Sequence, residues 1–106
     1  MNSDSGFELH PEAALDISNI WEYIAMENPM AARRVREAIL NTIRKLVLFP
    51  HQGRRRPDLT SYPLRFQTSR EFLIAYAPDN KPLLVIAVLP GRQSPRVMAA
   101  MLRDRE

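Results

Sequence analysis

The sequence predicts an α+β fold: a β-α-α-β-β-β order followed by a C-terminal helix, with an antiparallel helix hairpin packed on a small, mainly antiparallel sheet. Three observations predict it. Two apolar stripes at helical spacing flank a single break at Asn28-Pro29. Three strand-like runs joined by short links occupy the stretch from Leu64 to Leu89. A capping pair, Ser94-Pro95, then opens a last amphipathic segment.

Phe7-Glu8-Leu9 alternates apolar and polar residues, as a short first strand does. Pro11 suits the first turn of a helix, where its missing N–H removes no hydrogen bond. Ile17, Ile20, Trp21 and Ile24 follow the i, i+3, i+4, i+7 pattern, with Asp16, Ser18, Asn19 and Glu22 opposite, which predicts an amphipathic helix over about 11–27. Pro29 disfavours helical geometry at Asn28, and the same pair serves as N-cap and first residue of helix two. Helix two carries Ala32, Val35, Ile39, Ile43 and Leu46 on one face and ends by Phe49-Pro50. So short a link makes the two helices an antiparallel hairpin.

His51–Pro63 reads as a loop, punctuated by Gly53 and Pro57. The strands follow at Leu64–Thr68, Phe72–Ala77 and Leu83–Leu89, the last nearly all apolar and therefore central. Their short links make them an antiparallel meander. Val97, Met98, Met101 and Leu102 form one apolar side of the C-terminal helix. The hairpin must cover one sheet face; the other is left for the terminal helix or a partner protein.

The 106 residues make one domain, 1–106, with residues 1–6 expected to be flexible. No apolar run approaches the length of a membrane span. No basic and apolar signal-peptide pattern is visible in the first residues and there is no cysteine, so a reducing, cytoplasmic setting is expected. His10 and His51 are far apart and lack further ligands at metal spacing, so neither a metal nor another cofactor is expected.

The net charge of +3 is strongly segregated. Up to residue 32 there are six acids and no Lys or Arg; residues 33–56 hold eight bases against Glu37 alone. That band includes Arg33, Arg36, Arg44, Arg54, Arg55 and Arg56, and it favours an acidic protein or nucleic-acid partner. Its plainer reading is a solvated basic face.

Val85–Ser94 is the most telling stretch. An apolar strand runs into Pro90-Gly91 and delivers Arg92 at its mouth, with no His, Cys, Asp or Glu beside it in sequence. Such a site is suited to gripping an anion or a partner surface. Arg65, entering a strand, is expected near Arg92 as a second cation, or else in an ion pair with Glu71 or an acid of helix one. Trp21 and Tyr23 are expected in the core and at its rim, and Tyr76 is read as structural.

The chain resembles the ParE/RelE toxin superfamily of bacterial type II toxin–antitoxin systems. The likeness rests on Ala14-Leu15-Asp16-Ile17, Ile20-Trp21 and Tyr23-Ile24-Ala25 in the first helix. It continues through Leu46, Pro50 and Gly53-Arg54, Leu64-Arg65, Tyr76, and Val88-Leu89-Pro90-Gly91-Arg92-Gln93. Each piece is weak alone; their order and spacing are specific, and they span Phe7 to about Ser94. The resemblance implies one of two activities: ParE-like inhibition of DNA gyrase, or RelE-like cleavage of mRNA on the ribosome. Many members carry His just before the Gly-Arg pair, whereas this chain has Pro90, which exchanges no proton. Nothing after Pro90 is His, Tyr or Lys. These departures favour the ParE-like reading, with Arg65, Arg92, Met98, Met101 and Leu102 meeting the target, the basic band meeting an acidic ParD-like antitoxin in a hetero-oligomer, and no catalytic residue. The alternatives are a ribonuclease using Arg65 and Arg92, and a non-toxic module that only binds its antitoxin. Direct nucleic-acid binding is left open.

Overall fold

A computed structural model describes residues 6–105. The expected flexibility of residues 1–6 therefore falls, for residues 1–5, outside the described residues. The elements are β1 (Phe7–Leu9), α1 (Pro11–Ala25), α2 (Pro29–Leu48), β2 (Arg65–Ser69), β3 (Phe72–Ala77), β4 (Leu83–Pro90) and α3 (Pro95–Arg103). This is the predicted α+β order, with boundaries displaced by one or two residues.

Local chemistry sets the helix starts. The Asn28 side chain accepts from the amide of Ala31, 3.0 Å away, with Pro29 at the first helical position. Ser94 accepts from Val97 N in the same way ahead of Pro95. At α1 the cap is His10, whose Nδ1 accepts from Glu12 N at 3.0 Å.

The sheet order is β1-β4-β3-β2. β2, β3 and β4 form the expected antiparallel meander, and β1 adds to β4 in parallel. The β3–β4 register shifts between Ala75 and Tyr76, leaving Ile86 as an extra residue in β4. β1 ends opposite Val85, so β4 from Ile86 onward has no strand neighbour on that side.

Two apolar layers sandwich the sheet. Ile17, Ile39, Ile43 and Leu46 of the hairpin meet Phe72, Ile74, Tyr76 and Val88 on one face. Complete burial of Ile39, Ile43 and Leu46 contributes roughly 1.5–3 kcal/mol for each side chain relative to exposure. The second face carries Phe66, Ala75, Ala87 and Leu89, and α3 covers it through Met98 and Leu102 together with Leu59 and Leu64 of the long loop. The terminal helix thus supplies the cover that the sequence left open.

Two expectations are corrected. Trp21 and Tyr23 are exposed, at 41% and 78%, because the hairpin buries the neighbouring stripe of α1 through Ala13 and Ile17. Val97 is exposed, since Met98 and Leu102, four residues apart, define the docked side of α3. Among the described residues, no helix is long and apolar enough to cross a membrane.

Candidate functional site

The end of the sheet where Phe72 pairs with Pro90 is built from two turns of the chain. The two-residue Arg70-Glu71 turn joins β2 to β3, with Arg70 at φ 55, a conformation a non-glycine residue adopts only at a cost. Beside it the strand leaves β4 through Pro90-Gly91. Gly91 N donates to Glu71 O at 2.8 Å, and a Cβ at Gly91 would stand 3.1 Å from that oxygen. A side chain there would press on the turn, which would have to give by a few tenths of an ångström. Arg92 follows, exposed, at the start of the link into α3.

A cleft of about 780 Å³ opens at this corner. Ile20, Tyr23 and Ile24 of α1 and Phe72, Val88 and Pro90 of the sheet line it, together with the cations Arg56, Arg70 and Arg92 and the carboxylates Asp16 and Glu71. Among the described residues, Arg70 and Arg92 form no ion pair, whereas Arg56 is held by Asp58 at 2.8 Å. That pair raises the guanidinium of Arg56 and lowers the carboxyl of Asp58 relative to their ordinary values, through the hydrogen bond first. The amide oxygen of Gln93, also in the lining, is buried without a hydrogen-bond partner among the described residues.

Arg65 is elsewhere. It pairs with Tyr76 at the other end of the hairpin, about 13 Å of strand away from the Phe72–Pro90 pair. Its guanidinium donates to Gly53 O at 2.8 Å and to His51 O at 3.4 Å, so neither expected ion pair forms. Tyr76 belongs to the same construction. Its hydroxyl donates to Pro50 O at 2.6 Å and accepts from Gly53 N at 3.0 Å, and burial pushes its pKa above the ordinary tyrosine value. Arg65 and Tyr76 together anchor the start of the long loop.

The proposed target residues divide in the same way. Arg92 lies exposed in the cleft corner and Met101 is half-buried there. Met98 and Leu102 are buried beneath α3. The basic band is dispersed too. Arg33 and Arg36 are exposed on α2, and Arg44 donates to Asn41 at 2.6 Å. Arg54 bridges to Phe66 through its backbone, Arg55 is exposed, and Arg56 reaches the cleft.

Sequence reasoning did not single out Arg70, although a two-residue turn without glycine was a readable signal. It assigned Asp16 to the solvent side of α1. In the structure, the Asp16 side chain is only 13% exposed and receives a buried guanidinium from Arg105. No periodicity announces a contact spanning 89 positions.

A family model described as the ParE toxin of the type II toxin-antitoxin system, parDE, matches residues 7–95. The chain belongs to this family. Its fold is similar to a solved structure described as a chromosomal ParDE TA system from P. aeruginosa, with TM-score 0.64 and 20% identity, covering 79% of this chain and 92% of that one. No curated protein matches the sequence. The family model ends at residue 95, so it includes the Arg70–Arg92 corner and stops where α3 begins.

Proposed function

We propose that this ParE-family chain inhibits DNA gyrase by surface contact and is neutralised by an acidic antitoxin. The observation that carries this reading is the corner where, among the described residues, Arg70 and Arg92 stand without ion-pair partners beside a cleft with apolar lining from Ile20, Ile24 and Phe72. Guanidinium groups remain protonated and serve poorly as general bases, but they bind carboxylate and phosphate well. Pro90 occupies the position before the Gly-Arg pair and offers no proton. Arg92 and the exposed side of α3 are the surface proposed to meet the target. Met98 and Leu102 support that surface from below, and Met101 contributes where it remains accessible.

Family membership supports an antitoxin partner, and the cleft suits an acidic segment with apolar anchors. Arg70 and Arg92 would meet its charges, with Arg33, Arg36, Arg44, Arg54, Arg55 and the Asp58-paired Arg56 acting through their field. A hetero-oligomer in the cytoplasm follows from this reading. The test is induced expression without antitoxin, paired with gyrase supercoiling assays on purified wild type and Arg92→Ala. Filamentation, a DNA-damage response and loss of supercoiling inhibition in the variant are expected. Rapid loss of translation with site-specific mRNA cleavage would overturn the gyrase reading in favour of the ribosome. Growth without arrest would leave an antitoxin-binding module.

A further inference from the structure

The edge of β4 beyond β1, from Ile86 onward, is closed by side chains from distant parts of the chain. Asp16 Oδ2, from α1, accepts from Val88 N at 2.9 Å. Arg105, two residues beyond α3, donates from Nη1 to Ile86 O at 3.2 Å. The two side chains meet in a bidentate pair, with Nη1 to Oδ2 at 2.6 Å and Nη2 to Oδ1 at 2.9 Å. Their exposures are 13% for Asp16 and 7% for Arg105. The pair links α1, on one face of the sheet, to the end of α3 on the other, passing around the β4 edge.

The link matters because α3 is only nine residues long. An isolated helix of that length is not stable in water. α3 is held by the burial of Met98 and Leu102 and by this pair beyond its C-terminus. The strand edge also dictates polarity: the N–H of Val88, a residue only 2% exposed, requires an acceptor, and the C=O of Ile86 requires a donor.

We infer that Asp16 and Arg105 form a clasp that positions α3, and with it the surface continuing from Arg92. The inference about presentation rests on the proposed role of that surface in meeting the target. Asp16 and Arg105 are positioning residues and need not touch the target. The clasp joins a residue inside the family-matched region to one beyond it.

Amide hydrogen exchange and gyrase supercoiling test this. Arg105→Met and truncation after Asp104 are compared with wild type; the truncation avoids placing a new side chain against Asp16. Protection of the α3 amides and of Val88 is expected to fall at least about tenfold, toward that of a fraying terminus, while α2 and β3 keep theirs. Supercoiling inhibition should weaken alongside. The charge swap Asp16→Arg with Arg105→Asp should not restore protection, because each new group meets the wrong backbone partner. Arg105→Lys should restore it in part.

Unchanged α3 protection in both variants would overturn the clasp, as would full rescue by the swap. Loosened α3 with undiminished gyrase inhibition would overturn the positioning role. If wild type does not inhibit gyrase, the functional reading fails while exchange still decides the clasp.

Discussion

Tyr76 and Gly53 are locked together: the tyrosine hydroxyl sits 3.0 Å from the glycine amide, and a Cβ on Gly53 would come within 2.7 Å of that oxygen. The same Cβ would stand 2.8 Å from Phe66 O, so it has no free space. The contact joins the buried face of β3 to the loop that leaves α2.

Gly53→Ala should therefore destabilise the fold, by about 1–3 kcal/mol if the loop shifts to relieve the clash. Tyr76→Phe should cost a similar amount, about 1–3 kcal/mol, by leaving the buried Gly53 N–H without its acceptor. Denaturant midpoints followed by Trp21 fluorescence check both. An unshifted midpoint in either variant would show that the loop start is not anchored through this pair.

The Tyr76 anchor also predicts a pH dependence. Burial raises the folded-state pKa of the phenol above its unfolded value, so the neutral form is favoured by folding. Its stabilisation is fully present below the unfolded tyrosine pKa of about 10 and is lost as pH rises through the folded value. Tyrosinate absorbance should contain a late component above the ordinary range, accompanied by weakening stability. Tyr76→Phe should remove that component.

Arg65 and Arg92 should separate cleanly in mutagenesis. Arg65→Met removes the donor to His51 O and Gly53 O, and should speed tryptic cleavage within Arg54–Arg56. Arg92→Ala alters an exposed residue with no hydrogen-bond partner among the described residues, so stability should change by no more than about 0.5 kcal/mol. Loss of toxicity in Arg92→Ala with an unchanged denaturant midpoint would assign Arg92 to recognition. Equal tryptic rates for wild type and Arg65→Met would remove Arg65 from the loop anchor.

Antitoxin binding should weaken with salt if the basic residues act through their field. Isothermal titrations at low and high ionic strength measure this. Affinity indifferent to salt would place the binding energy in apolar contacts with Ile20, Ile24 and Phe72 of the cleft, leaving the basic band as a solvated face.

The sequence by itself determined the order of elements, the hairpin break at Asn28-Pro29, the meander and the placing of Arg92 at a strand mouth. Those features depend on periodicity, proline geometry and capping, which act over a few neighbouring residues. Only the tertiary structure decided which charges meet. Strand register separated Arg65 from Arg92, since each residue along β3 moves its neighbour by about 3.3 Å. The short β1 left one edge of β4 beyond Val85 without a strand, and Asp16 and Arg105 meet there to satisfy its backbone. Packing turned Met98 and Leu102 inward, because the sheet face of Phe66, Ala75, Ala87 and Leu89 is apolar and burying it removes that surface from water. Such contacts depend on the positions of elements distant in sequence, and no local pattern carries that information.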